Sequence, residues 1–109
     1  MAYEIAAKTG DIADGGKMKV TLGGQDILLT RFGTGYYAIS NKCTHMGGSL
    51  FDGILDGEQI ICPRHGSAFN VKTGKALHGG KLLFVKFNVD DVRAFPVTVD
   101  GEDILVGIE

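Results

Sequence analysis

Glycine is what most narrows the folds open to this chain. Seventeen of its 109 residues are Gly and only two are Pro, about twice the usual glycine share. Glycine at that density costs unfolded-state entropy and marks turns, positive-φ positions or close backbone approaches. Here it cuts the chain into short apolar runs. Gly15-Gly16 precede Lys17 to Leu22, Gly23-Gly24 connect that run to Ile27 to Phe32, and Gly33-Thr34-Gly35 turn into Tyr36 to Ser40. With an opening segment at Tyr3 to Ala7, these runs are rich in the β-branched and aromatic residues that suit strands. No stretch repeats apolar residues at i, i+3, i+4 and i+7 over helical length. Only Asp11-Ile12-Ala13-Asp14 is a candidate for a single helical turn, capped at its start by the Asp11 carboxylate. The chain reads as all-β.

The β pattern returns near the C-terminus. Leu83, Val85, Phe87 and Val89 alternate with Leu82, Phe84, Lys86 and Asn88, which predicts one strand broken by Asp90-Asp91. Arg93 to Val99 and Asp103 to Ile108 predict a hairpin around Asp100-Gly101, with Ile104, Val106 and Ile108 on one face. Residues 41–80 have a different texture, with eight Gly, both Cys and all three His. A brief strand is expected at Gln59 to Cys62. Phe69-Asn70-Val71 then leads into a Lys72-Thr73-Gly74-Lys75 turn with Gly74 at positive φ. The expectation is one domain over 1–109. Its β framework comes from 1–40 and 81–109, and an inserted subdomain at 41–80 carries the chemistry. Pairing across that insertion is tolerable because loop-closure entropy grows only logarithmically with length.

Composition limits the partners. A hydrophobic share of 44% and a charged share of 22% suit one ordinary globular core. No apolar run approaches bilayer length, and the opening residues lack a basic flank and apolar centre, so the expectation is a soluble, cytoplasmic protein without membrane contact. A formal charge of −2 with no Lys/Arg stripe argues against nucleic acid.

Two cysteines cannot build a disulfide framework, and in a cytosolic chain they point to metal or catalysis. Cys43-Thr44-His45 is followed, sixteen residues on, by Cys62-Pro63-Arg64-His65. Thiolate and neutral imidazole suit zinc and iron–sulfur centres. Three readings stand side by side: buried small apolar cysteines with incidental histidines, a structural zinc site, and an iron–sulfur centre. Against zinc, Cys-x-His is tighter than the usual knuckle spacing. In favour of iron–sulfur, Gly47-Gly48, Gly66 and Gly79-Gly80 would let backbone amides approach inorganic sulfides, which a lone zinc ion lacks.

The segments Cys43-Thr-His45-Met-Gly-Gly and Cys62-Pro-Arg-His65-Gly-Ser make the chain resemble the Rieske [2Fe–2S] proteins. All four positions of the Cys-x-His and Cys-x-x-His pattern match. The likeness extends through Phe69, the Lys72-Thr73-Gly74 turn and Phe95-Pro96-Val97. It implies the Rieske fold, an antiparallel β-sandwich or barrel framework with a small inserted cluster-binding subdomain. It also implies one [2Fe–2S] cluster per chain, with Cys43 and Cys62 on one iron and His45 and His65 on the other. Two ferric irons, two sulfides, two thiolates and two neutral imidazoles sum to zero charge, so one added electron is easier to accept than in an all-cysteine cluster. The extra cysteine pair that braces some relatives is absent. Ser67 matches a serine that donates to the cluster in high-potential members, while Phe69 stands where they carry a tyrosine. An intermediate potential is therefore expected.

Other residues carry less information. Met46 and Leu50 are candidates to shield the cluster, Pro63 to stiffen the second loop, and Arg64, Lys42, Lys72 and Lys75 to form a basic docking rim. His78 is uncommitted. The loop after Gly79-Gly80 lacks the prolines frequent in relatives. After the cluster takes two histidines, His78 alone cannot build the mononuclear iron site of an oxygenase. No Rossmann fingerprint is present for oxidising a nicotinamide. The resemblance thus implies no enzyme but a monomeric electron carrier between a flavoprotein ferredoxin reductase and a terminal oxygenase or other acceptor. A small redox subunit of a nitrite-reductase type of enzyme is the alternative. A zinc-stabilised binding module is the alternative from a different class.

Overall fold

The computed structural model describes residues 2–43, 48–63, 66–78, 81–82, 85–86 and 90–108. Its strands in chain order are β1 (Ala2–Lys8), β2 (Lys17–Leu22), β3 (Gln25–Phe32), β4 (Gly35–Ser40), β5 (Ile54–Asp56), β6 (Gln59–Ile61) and β7 (Ala68–Asn70). They continue as β8 (Ala76–His78), β9 (Lys81–Leu82), β10 (Val85–Lys86), β11 (Ala94–Phe95), β12 (Val97–Asp100) and β13 (Asp103–Ile108). Every strand pairing among the described residues is antiparallel. Short 3-10 turns at Thr9–Asp11 and Leu50–Asp52 are the helical elements described.

Two sheets, β1-β13-β12 and β11-β4-β3-β2, form the framework, and β5-β6-β7-β8 form a third sheet. The turn glycines behave as their positions require. Gly23 and Gly24 both take positive φ between the paired Leu22 and Gln25, so β2 and β3 are joined by a two-residue hairpin.

Strand β3 is buried from Ile27 through Thr30, with no polar face. The reason is that it separates two cores. Ile27 and Leu29 point into the framework core with Ala38, Phe95, Ile104, Val106 and Ile108. Leu28, one residue out of phase, joins Ile39, Leu50, Ile60, Phe69, Val71, Val92 and both cysteines in a second core. Strand period two therefore lets one strand serve both cores. The second core is where the third sheet rests on the framework.

The structure corrects several boundaries. The 82–89 run holds two short strands, β9 and β10, paired to each other, so its alternation belongs to a hairpin. The remaining residues of that run (83, 84 and 87–89) lie outside the described residues. The expected strand at Arg93 to Val99 divides at Pro96. Ala94 and Phe95 pair with β4, and Val97 to Asp100 pair with β13. Proline offers no N–H for a ladder, while its carbonyl accepts from the Gly107 amide at 2.9 Å. The expected turn at 11–14 instead spans Thr9–Asp11. The Asp11 carboxylate accepts from the Lys8 amide at 2.9 Å and so closes a turn that ends at Asp11. β6 stops at Ile61, one residue before Cys62, and β7 begins one residue earlier than expected. β5 and β8 have no counterpart among the strands expected from sequence.

Candidate metal centre

Cys43 follows the end of β4, and Cys62 follows the end of β6. Both side chains are nearly sealed from solvent, at 1% and 2% exposure, and they belong to one apolar core. Neither is in a disulfide. Each cysteine opens a loop that the backbone closes in the same way. The Cys43 amide donates to the Gly48 carbonyl at 2.8 Å, and the Cys62 amide donates to the Ser67 carbonyl at 2.7 Å. In both loops the acceptor is five residues on. Gly66 takes φ +79°, a conformation that L side chains rarely adopt, and its amide returns to the Cys62 carbonyl at 3.3 Å.

Behind the first loop, Asn41 makes four hydrogen bonds. Its amide donates to the Asp26 carbonyl at 2.9 Å and its carbonyl accepts from the Leu50 amide at 2.8 Å. Its side-chain Oδ1 accepts from the Phe51 amide at 2.8 Å, and Nδ2 donates to Ser49 Oγ at 2.9 Å. The Lys17 ammonium of β2 donates to the Phe51 carbonyl and lies 4.3 Å from the Phe51 ring centroid, which ties the Leu50–Asp52 turn to the framework.

Behind the second loop, β7 and β8 are joined by the expected positive-φ turn, with Gly74 at +77°. Asn70 Oδ1 accepts from the Lys72 and Thr73 amides, and the Gly74 carbonyl accepts from the Val92 amide at 2.8 Å. A Cβ on Gly74 would lie 2.1 Å from the Val92 carbonyl oxygen, so this turn docks on the framework through bare backbone. Lys72 pairs with Glu58 at 3.4 Å and lies over the Phe32 and Tyr37 rings, so it ties the turn after β7 to β3 and β4. Lys42 and Lys75 are exposed.

Ser67 is 1% exposed, and its hydroxyl has no hydrogen-bond partner among the described residues. A buried orphan hydroxyl costs on the order of 1–3 kcal/mol unless something accepts from it. Two buried thiols in one core, paired backbone-closed loops and a hydroxyl lacking an acceptor are the donor set that a thiolate-bound iron–sulfur group would use. Phe69 is completely buried, and Leu50 lies in the same core as both cysteines. Pro63 is exposed, and His78 ends β8 opposite Ala68. His45 and His65, with Met46, Gly47, Arg64 and Gly79-Gly80, lie outside the described residues. Among the described residues, no three His, Cys, Asp or Glu side chains converge. Sequence reasoning did not identify Asn41 or Gly53, which back these loops. An Asn two residues before the Cys-x-His motif was the available signal for the first.

The model of the Rieske [2Fe-2S] domain matches residues 2–83. The ferredoxin component of the naphthalene 1,2-dioxygenase/salicylate 5-hydroxylase systems of Ralstonia sp is 33% identical over 104 residues, covering 95% of this chain and 93% of that protein. The ferredoxin of carbazole 1,9a-dioxygenase from Nocardioides aromaticivorans IC177 superposes with a TM-score of 0.85 at 30% identity, covering 100% of both chains. A chain in the complex of reduced oxygenase and oxidized ferredoxin in carbazole 1,9a-dioxygenase superposes with a TM-score of 0.78 at 31% identity, covering 95% of this chain and 91% of that one.

Proposed function

The chain belongs to the Rieske [2Fe-2S] domain family, and we propose that within it Cys43, His45, Cys62 and His65 hold the cluster and Ser67 donates to it. It is a ferredoxin-type electron carrier and not itself an enzyme. The bound cluster supplies one-electron chemistry, alternating between a neutral core and one of charge −1. Cys43 and Cys62 supply the thiolates of one iron from inside the second core, where burial keeps water from the sulfur atoms. His45 and His65 supply the other iron. With the cluster bound, the Ser67 hydroxyl would find the acceptor it lacks among the described residues, and its donation would favour the more negative state. Residues 41–80 act as one cluster-binding unit inserted in the 1–109 domain.

The observation that carries this reading is the buried Ser67 hydroxyl beside two equally closed cysteine loops. Zinc-bound thiolates also accept from hydroxyls, so the preference for the cluster over zinc rests on the match to the Rieske [2Fe-2S] domain over residues 2–83.

The electron passes to a terminal oxygenase, as the likeness to a ferredoxin seen with its oxygenase supports. A flavoprotein reductase supplies it. The protein works as a cytoplasmic monomer that meets each partner transiently. Among the described residues no helix is long and apolar enough to cross a membrane.

Spectroelectrochemical titration of the purified protein tests the carrier role. The expected result is a single wave of one electron per chain, at a potential above that of plant-type ferredoxins. Absence of any wave, or uptake of two electrons, contradicts it.

A further inference from the structure

Two residues outside the ligand pattern join the two cysteine loops. Asn41 is 3% exposed and all its polar side-chain atoms are engaged beyond the first loop, with Ser49 and Phe51. It thus fixes the chain that returns from that loop. The return ends at Gly53, whose amide donates to the Leu50 carbonyl at 2.9 Å.

Gly53 has an ordinary extended backbone, φ −83° and ψ −169°, so conformation does not require glycine there. Space does. A Cβ on Gly53 would lie 2.0 Å from the carbonyl oxygen of Ile61 and 3.1 Å from that of Leu50. Ile61 is the residue before Cys62. The chain leaving the first cysteine loop therefore lies directly on the backbone entering the second. Gly57, in the turn of the same hairpin, is the opposite case: φ is +60°, and a Cβ added there would meet nothing within 4 Å.

We propose that Asn41 and Gly53 are positioning residues that set the spacing of the two cysteine loops, Asn41 by locking the return of the first and Gly53 by letting it contact the backbone before Cys62. This rests on the cluster reading above. A methyl group at 53 must part the two chains by about 1 Å to restore the 3.0 Å separation that real Cβ atoms keep. Metal–ligand distances hold to within roughly 0.2 Å, so a displacement of that size reaches the ligands. Asn41→Ala removes both side-chain bonds and leaves the Phe51 amide without its acceptor.

The test compares holoprotein of wild type, Gly53→Ala, Asn41→Ala and Gly57→Ala. It reads the rate of cluster loss to a chelator and the g-values of the dithionite-reduced state. The first two variants are expected to lose the cluster at least about tenfold faster and to shift the g-values. Gly57→Ala, which strains the same hairpin without touching the loops, keeps wild-type values of both. Wild-type behaviour of Asn41→Ala and Gly53→Ala overturns the proposal, as does a Gly57→Ala that matches them. If Gly53→Ala does not fold, Asn41→Ala decides by the same two readouts. A wild type without iron and sulfide overturns the cluster reading itself, which is a separate result.

Discussion

The framework and the β5-β6-β7-β8 region beside the two cysteines are held together by different means. In the framework, strands of six to eight residues such as β2, β3 and β13 pair along their full length around an entirely apolar core. In the other region, each strand of the β5-β6-β7-β8 sheet has three residues. Its core includes the two cysteines, and side-chain bonds from Asn41 and Asn70 close its loops. Three-residue strands are at the short limit for β structure. The framework thus rests mainly on long apolar strand pairing, supplemented by side-chain bonds such as Arg31 donating to the Ile12 carbonyl and Asp14 accepting from the Gly33 amide. The other region combines very short strands with side-chain closure of its loops. Binding free energy of a metal centre becomes folding free energy for the part that holds it.

The most severe break in this comparison is Cys43→Ser. Complete loss of the cluster is expected by visible absorbance, while hydrogen exchange in the resulting apoprotein opens 48–78 and leaves β2, β3 and β13 protected. Equal loss of protection in both regions would mean that they fold as one unit. The reverse break is Ile104→Ala, at a site with no exposure in the framework core. A loss of about 2–5 kcal/mol is expected from denaturant unfolding, with the midpoint potential of the folded holoprotein unchanged.

Ser67→Ala sharpens the comparison within the site. A donor hydrogen bond favours the more negative, reduced cluster, so removing it is expected to lower the midpoint potential. Bonds to charged groups contribute about 1.5–3 kcal/mol, and for one electron ~59 mV corresponds to a tenfold change. A fall of tens of millivolts, up to about 100 mV, is the expected reading in protein-film voltammetry.

The smallest effect concerns Thr30, the other buried hydroxyl without a partner among the described residues. It sits in β3, opposite Lys17 and Tyr37, and no cluster ligand flanks it in the sequence. Thr30→Val is expected to leave the potential unchanged and to raise stability by about 1 kcal/mol in denaturant unfolding, by removing an unsatisfied group. A potential shift there would erase the distinction between the two orphan hydroxyls.

The same contrast explains what could be read from the sequence. β2 and β3 were legible as runs of strand-forming residues between turn glycines, and β13 because Ile104, Val106 and Ile108 alternate on one face. The family was legible because the Cys-x-His and Cys-x-x-His spacing is specific. β5 and β8 were not, since Ile54–Asp56 and Ala76–His78 are too short for a period and become strands only through pairing. Pro96 was visible as a residue that cannot complete a ladder, yet the alternation around it read as one strand. Gly53 was hidden for a physical reason. A glycine demanded by contact with a distant backbone looks the same in sequence as one demanded by a turn, and only the approach to Ile61 separates it from Gly57.

The most direct measurement is EPR of the purified protein before and after dithionite, with iron and acid-labile sulfide assayed on the same sample. The expected result is silence when oxidised, an anisotropic S = 1/2 signal with average g below 2 when reduced, and two irons with two sulfides per chain. Stoichiometric zinc, no sulfide and no reducible signal, with no cluster formed on iron and sulfide reconstitution, would contradict the account.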